Sequence, residues 1–306
     1  ATAGSGTGAG TGLGQGQGQG QGQGPGLGTG TGAAAPVFAS LTTGVGSLPL
    51  ILTERLRERG VEVRTGTTVR GIRAASSGDR GGWVVLSGPT IAEVEEHFDV
   101  VVLATPAAPA ARLLTGVAPV SALALGAIEY ASMAIVTIAL DSSDGGLDSI
   151  AGSSGFLVPP TEPLTIKAAT FSSSKWPALR ERTVGTTYLR ASIGRHREVT
   201  TLQRSDEALA AITMTDLATV LGHPLPDPAA VHVQRWGGGL PQYAVGHRSL
   251  IERARQGLPP GLTICGAALD GVGIPACVGS GRAAAGRVST HLRSTSRHAG
   301  EWPHEH

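Results

Sequence analysis

The stretch LTICGAALDGVGIPACVGSGRAAAGRV, residues 262–288, decides the fold of this chain. A short apolar strand is predicted over 262–266, a glycine-rich turn follows, and a helix is predicted over about 276–292. Because Gly271 and Gly273 carry no Cβ, backbone N–H groups can come close to a ligand there. The helix directs its positive end at the same place. The stretch therefore predicts a site for an anion or a developing negative charge.

The same turn matches the spacing of a dinucleotide-binding fingerprint, with Gly271, Gly273 and Ala276 in the G-x-G-x-x-A positions. That fingerprint needs a later strand that ends in an acidic residue, about 20 residues on. Here a polar tail follows the helix, and Pro275 lies inside the turn. We therefore reject a nicotinamide site. From these residues alone, an ordinary strand-to-helix turn is the alternative interpretation.

Composition excludes several classes of protein. Lys and Arg number 24 against 23 Asp and Glu, and no basic stripe occurs, so nucleic acid is not an expected partner. No apolar run reaches the roughly 20 residues of a membrane-spanning helix. The two cysteines, Cys265 and Cys277, exclude a disulfide framework and favour the reducing cytoplasm. The 306 residues are enough for two domains.

The beginning of the chain has low complexity. Glycine occupies every even position from Gly4 to Gly32, interleaved mainly with Gln, Thr and Ala. So little apolar surface cannot offset the entropy of an ordered backbone, and residues 1–35 are predicted to be disordered. Residues 293–306 are predicted to form a disordered tail.

The part between these segments has the pattern of an α/β (α+β) fold. Ser47 is predicted to cap a helix over 47–59, with an apolar face at Leu48, Ile51, Leu52 and Leu56, and Ser205 to cap another over 205–221. A further helix is predicted over 106–114. Strands are predicted over 61–64, 67–72, 83–86, 100–104, 131–140, 166–171, 186–192 and 231–235. The 100–104 run is predicted to be buried on both faces, and the middle section to form a mixed sheet with helices.

Five sequence blocks resemble one family. GAALDGVGIPACVGSGRAAAGRV (266–288) and RWGGGLPQYAVGH (235–247) are similar to motifs of the bacterial coproporphyrinogen III and protoporphyrinogen oxidases. Three earlier blocks are similar to the same family and occur in its order: VFASLTTGVGSLPLILTERL (37–56), VRTGTTVRGIR (63–73) and DVVVLATPAAPAARLL (99–114). The resemblance covers about residues 37–290, and the order of the blocks makes it specific.

The resemblance implies an FAD/NAD(P)-binding Rossmann-like domain of the amine-oxidase superfamily with an inserted mixed-sheet substrate domain. Residues 36–112 and 248–292 would belong to the FAD domain, and 113–247 to the substrate domain. The family's opening strand, G-x-G-x-x-G turn and helix have no counterpart in this sequence. The FAD domain is therefore expected to be incomplete, and the chain to be the C-terminal portion of such a protein.

The resemblance also implies residue roles. Val69 would contact the adenine side of FAD through its backbone, and Trp236 would lie against the flavin. Val272, Gly273 and Ile274 would place backbone groups near the N1/O2 edge of the isoalloxazine. This last role agrees with the anion site inferred from the turn itself. No metal site is expected, and no catalytic residue is assigned.

The function that the resemblance implies is the oxidation of coproporphyrinogen III, or of protoporphyrinogen IX, with O2 as acceptor, in heme biosynthesis. A downstream heme-pathway enzyme would be a partner. Arg190, Arg195 and Lys167 are candidate contacts for the substrate propionates, and His232 and His247 are the available bases. The alternative is a catalytically inactive fragment that binds only a porphyrin or a protein partner.

Overall fold

The computed structural model describes residues 40–76, 82–142, 150 and 152–299, so the tract predicted to be disordered over 1–35 lies outside the described residues. The helices are α1 (Ser47–Glu58), α2 (Ala107–Leu114), α3 (Pro119–Gly126), α4 (Ser172–Lys175), α5 (Pro177–Arg182), α6 (Asp206–Leu221), α7 (His247–Gln256), α8 (Ala267–Asp270) and α9 (Ile274–Ala299). The strands are β1 (Val69–Ala74), β2 (Trp83–Ser87), β3 (Val94–Phe98), β4 (Val101–Leu103), β5 (Tyr130–Asp141), β6 (Gly155–Leu157), β7 (Ile166–Phe171), β8 (Thr186–Ile193), β9 (Ala230–Pro241) and β10 (Leu262–Ile264). The predicted α/β class is confirmed.

A first hydrophobic core surrounds the parallel pair β4–β10. Leu103 lies opposite Ile264 in this pair, and side chains of α2, α3, α7 and α8 pack around it. The antiparallel sheet β1–β2–β3 contributes Ile72 and Trp83 to the same core. Segments from before and after the middle section therefore build one core together.

One burial prediction in this region is wrong. Val102 of β4 is 42% exposed, because successive side chains of a strand point to opposite faces and only the Leu103 side joins the core. The helix α1 forms where it was predicted, yet none of its residues, all of which the structure describes, is buried. Ile51 and Leu52 are 48% and 52% exposed. An amphipathic pattern identifies an apolar face but not what covers it.

The middle section forms a five-stranded sheet in the order β6-β7-β8-β5-β9. Every pair is antiparallel, which corrects the predicted mixed sheet. The reason is that side chains alternate with a period of two in parallel and antiparallel strands alike, so the pattern does not reveal direction. One face of this sheet packs with α6 in a second core, which includes Leu209 and Leu217.

The helix α6 has the predicted start and end. The Ser205 side chain accepts a hydrogen bond from the Ala208 N–H at 3.3 Å, as expected of an N-cap. Gly222 ends the helix in the left-handed conformation, with φ +78°. Leu209 and Leu217 are buried, so the side of the helix that carries them packs against the sheet.

The last helix extends further than predicted. α9 runs from Ile274 to Ala299, past the predicted end at 292 and into the segment 293–306 that was predicted to be a disordered tail. Once a helix is nucleated, each further residue adds a hydrogen bond, so a polar sequence can continue it without a buried face. Residues 300–306 lie outside the described residues.

Candidate flavin site

The glycine-rich turn between α8 and α9 has an open backbone. Gly271 and Gly273 have φ of +126° and +107°, values that L-residues rarely adopt. A Cβ built on Gly273 would meet no heavy atom within 4 Å. Val272 and Ile274 are each 47% exposed. The three residues predicted to face a flavin therefore lie at the start of α9 with free space beside them.

The start of α9 offers unsatisfied amides at this turn. The Cys277 N–H donates to the Gly273 carbonyl oxygen at 3.0 Å and begins the helical ladder. The N–H groups of Ile274 and Ala276 precede that bond and have no acceptor within the helix, while Pro275 has no N–H. The positive end of the dipole of α9, a helix of 26 residues, lies at the same turn. The arrangement can stabilise negative charge next to Gly273.

Asp270, directly before the turn, is held by two other helices. The Arg255 Nη2 of α7 donates to both carboxylate oxygens of Asp270, at 2.7 and 2.8 Å. The Ser280 hydroxyl of α9 also donates to this carboxylate, and it accepts from the Gly266 N–H at 2.9 Å. We call Asp270, Arg255 and Ser280 the turn clamp. The clamp ties α7, α8 and α9 together around the glycine turn.

The clamp keeps Asp270 ionised. Burial raises the pKa of Asp270, but the hydrogen bonds from Arg255 and Ser280 and the charge of Arg255 outweigh it and leave the pKa below its ordinary value. A carboxylate at neutral pH can therefore keep all three bonds.

Tyr243, in the loop between β9 and α7, contacts the turn from another direction. Its hydroxyl donates to the Ala267 carbonyl oxygen at 2.5 Å, and its ring centroid lies 4.7 Å from that of His247. Burial raises the pKa of Tyr243, although a hydrogen bond with the Val272 backbone acts in the opposite direction. The phenol is therefore protonated at neutral pH. It joins the 235–247 block to the glycine turn.

Val69 and Trp236, the other predicted cofactor contacts, lie on strands. Val69 begins β1 and is 43% exposed. Ile72 of the same strand shares the first core with Ala268 of α8, so β1 and the helix before the turn belong to one core. Trp236 lies on β9 opposite Met133 and is 54% exposed. Among the described residues, the groove that Trp236 lines includes no residue of the turn.

The three candidate cations lie in and beside the five-stranded sheet. Arg190 on β8 is exposed. The Lys167 Nζ donates to the Gly194 carbonyl oxygen at 2.8 Å, and Arg195 lies 3.9 Å from Glu198. Burial, together with the positive charge of Arg195, lowers the pKa of Lys167. Lys167 and Arg195 are thus engaged locally, whereas Arg190 faces solvent.

The sequence profile of the flavin containing amine oxidoreductases matches residues 13–289. The chain belongs to this family. Among curated proteins, a coproporphyrinogen III oxidase of Mycobacterium tuberculosis is 37% identical over 258 residues, which are 84% of this chain and 51% of that protein. A coproporphyrinogen III oxidase of Bacillus subtilis is 29% identical over 260 residues, 84% and 52% of the two chains. The chain therefore spans about half the length of these curated relatives.

A solved structure from this family agrees with the fold. A protein of Exiguobacterium sp. 255-15, assigned as a protoporphyrinogen oxidase, is 31% identical with a TM-score of 0.67, and the match covers 83% of this chain and 52% of that one. The resemblance stated from the five sequence blocks is confirmed by these relatives.

Sequence reasoning missed the side chains that support the turn. It identified backbone groups at Val272, Gly273 and Ile274 but gave no role to Tyr243 or to the turn clamp. One signal was present: an acidic residue directly before a glycine turn needs a donor if it is not fully exposed. The donor Arg255 lies on a helix that the pattern did not predict.

The described residues contain neither a helix suited to crossing a bilayer nor a grouping of three His, Cys, Asp or Glu side chains able to hold a metal ion. Cys265 is buried and Cys277 half-buried, and both are free thiols.

Proposed function

We propose that this chain is the C-terminal portion of an FAD-dependent porphyrinogen oxidase that converts coproporphyrinogen III to coproporphyrin III with O2 as acceptor. Its membership of the flavin containing amine oxidoreductases supports the proposal, as does 37% identity to a coproporphyrinogen III oxidase over 84% of the chain. Protoporphyrinogen IX is a second substrate of the same class. The proposal assigns 36–112 and 248–292 to the FAD domain and 113–247 to the substrate domain.

The glycine turn held by the turn clamp is the observation that carries this proposal. A reduced flavin carries negative charge at its N1/O2 edge, and free amides at a helix start stabilise such charge. Gly273 leaves room for a ring to approach, since nothing lies within 4 Å of a Cβ placed there. The residues present therefore fit a flavin.

The chain's own residues would bind and orient the cofactor and keep water from it. Val272, Gly273 and Ile274 would donate or present backbone groups to the pyrimidine edge, and Val69 would contact the adenine side through its backbone. Trp236 would cover the ring system. When bound, FAD supplies the capacity to accept hydride from the porphyrinogen and to pass the electrons to O2, which gives H2O2. The cytoplasm is the proposed location, and a downstream enzyme of heme synthesis the proposed recipient of the product.

The test compares two preparations: the chain purified alone, and the chain co-expressed with the amino-terminal half of the Mycobacterium tuberculosis relative. Each is incubated with FAD and desalted, and the visible absorbance of retained flavin is measured. H2O2 release is then followed after addition of coproporphyrinogen III or protoporphyrinogen IX. Retained flavin with porphyrinogen-dependent H2O2 in either preparation supports the proposal. Absence of flavin from both refutes it.

A porphyrin- or partner-binding protein without turnover is the second candidate. Two exposed apolar surfaces favour it. On α1, Leu50 is 72% exposed, and on β4 of the parallel pair, Val102 is 42% exposed. Parallel strands are usually covered on both faces, so these surfaces suit contact with further polypeptide. Porphyrin binding without retained flavin, in both preparations, would favour this candidate over the oxidase.

A further inference from the structure

The five-stranded sheet has two unlike faces. On one face, Val136 and Ile138 of β5 and Leu189 of β8 have no exposed surface, and they pack in the second core with Leu217 of α6. On the opposite face Arg190 is exposed, although its neighbours Leu189 and Ala191 on β8 are buried. We call this second side the open face.

The strand register puts Arg190 in the interior of the open face. Arg190 lies opposite Thr137 of β5 on one side and opposite Thr170 of β7 on the other. Thr137 in turn lies opposite His232 of β9. Directly opposed residues of antiparallel strands point to the same face. These residues therefore form a row across four strands, with Arg190 as its permanent cation.

This row has no negative charge to match Arg190. The next row toward the amino-terminal end of β5 consists of Ser192, Ile135 and Gln234, which are neutral. Within the described part of the chain, no hydrogen bond or ion pair engages the Arg190 guanidinium. A guanidinium is a rigid fork of donors that matches a carboxylate in two parallel hydrogen bonds. An anionic ligand on the open face would therefore find Arg190 available.

The same register relates Arg190 to Trp236. Trp236 lies opposite Met133, and Arg190 opposite Thr137, so the two rows are four residues apart along β5. At a rise of 3.3–3.4 Å per residue the rows are about 13 Å apart along the strands, and because β5 lies between β8 and β9 the two Cα positions are about 16 Å apart. A tetrapyrrole with its ring system near Trp236 could extend a propionate to Arg190.

We propose that the open face binds the tetrapyrrole and that Arg190 pairs with one of its propionates. This inference rests on the proposed function and adds to it a residue that favours the more highly carboxylated substrate. Coproporphyrinogen III has twice as many propionates as protoporphyrinogen IX, so more of its bound orientations bring a carboxylate to Arg190. Lys167 and Arg195 are less suitable, because the Lys167 Nζ already donates to the Gly194 carbonyl oxygen and Arg195 lies 3.9 Å from the carboxylate of Glu198.

The test measures binding of the oxidised product, which needs neither flavin nor O2. Coproporphyrin III fluorescence is titrated with the chain and with its Arg190→Gln, Arg190→Lys and Arg182→Gln variants. Arg182 is the matched control, an exposed arginine on α5 outside the sheet. Protoporphyrin IX and the methyl ester of coproporphyrin III are titrated in parallel. Far-UV circular dichroism verifies that each variant is folded.

We expect Arg190→Gln to raise the Kd for coproporphyrin III about five- to tenfold, an effect between that of an exposed ion pair and that of a hydrogen bond to a buried charged group. Arg190→Lys should recover part of the affinity, since it keeps the charge but not the fork. Arg182→Gln should bind as the unaltered chain does, and the ester should be insensitive to all variants.

Two results overturn the inference while leaving the proposed function standing: equal coproporphyrin III affinity for Arg190→Gln and the unaltered chain, or an equal loss in Arg182→Gln. Failure of the unaltered chain to bind either porphyrin would instead contradict the proposed substrate class, and this inference with it.

Discussion

Replacing Asp270 with Asn measures what the turn clamp contributes to stability. The substitution keeps the shape of the side chain but removes the charge that accepts two bonds from Arg255, at 2.7 and 2.8 Å, and one from Ser280. The Asp270 side chain is 31% exposed and that of Arg255 is 34% exposed. Solvent therefore screens this pair only in part.

The expected magnitude lies between two limits. Hydrogen bonds to a buried charged group contribute about 1.5–3 kcal/mol, whereas fully exposed ion pairs contribute less than about 1 kcal/mol. Because both partners are about one-third exposed, we expect Asp270→Asn to lower the free energy of unfolding by about 2 kcal/mol. For a protein of this size, Tm should fall by about 4–8 °C.

The pH dependence gives a second, independent measurement. The pKa of Asp270 is lowered from its ordinary value of 3.8, so the ionised clamp stabilises the folded chain fully above that value. The contribution is lost as pH falls through the lower, folded-state pKa. Urea unfolding at a series of pH values should therefore show a gap between the unaltered chain and Asp270→Asn that is full at pH 7 and shrinks below about pH 4.

Glu252→Gln on α7 is the control, because it removes one negative charge from an exposed side chain. Its free energy of unfolding should stay within about 0.5 kcal/mol of the unaltered chain. The stabilising role of the turn clamp is refuted if Asp270→Asn behaves like this control at pH 7. It is equally refuted if the gap stays constant through the acid range.

Three further variants test other elements, each by urea or thermal unfolding. Gly273→Ala should lower the free energy of unfolding by about 1–2 kcal/mol, because the φ of Gly273 is +107°. Gly286→Ala, inside α9, should raise it by about 1 kcal/mol. A change of the same sign in both variants would contradict the turn geometry. Ser205→Ala should lower stability by about 1 kcal/mol through loss of the α6 cap, and no change would show that the 3.3 Å bond contributes nothing. Leu217→Ala, fully buried, should lower it by about 2–5 kcal/mol, whereas Val220→Ala, at 42% exposure, should change it far less; similar losses would contradict the placement of α6.

Local signals were sufficient to predict several elements. Ser205, the acidic first turn and Gly222 bound α6, and the structure shows both the cap bond and the left-handed end. The strand β7 has its predicted bounds, Ile166–Phe171. In each case the information lies within one turn or one strand, where the backbone responds to its own side chains.

Tertiary contacts explain what the sequence did not predict. The strand β9 was predicted to end at Arg235; the glycines at 237–239 lie beyond that end, and glycine weakens a strand. The structure extends it to Pro241, since Leu240 lies opposite Ala131 and Pro241 opposite Tyr130 of β5. The helix α7, with Ile251 and Ala254 buried against the first core, was not predicted at all.

The candidate site likewise has a part that local sequence predicts and a part that depends on tertiary contacts. Its backbone half, Gly271 to Ile274, followed from the turn sequence, the helix after it and, for the roles facing a flavin, the family resemblance. Its side-chain half did not, because Arg255 and Tyr243 reach the turn from elements separate from it in the sequence. Whether Val69 and Trp236 contact a flavin stays a prediction.

The parallel pairing of Val101–Leu103 with Leu262–Ile264 sets an order of events during synthesis. The first of these strands leaves the ribosome long before the second, and the entire five-stranded sheet is translated between them. That sheet has its own core, so it can acquire structure before the second strand of the pair is made. Closing so large a loop carries an entropic cost that slows the pairing. Until the pair forms, apolar residues such as Leu103 stay exposed, and this exposed surface is what a chaperone would bind.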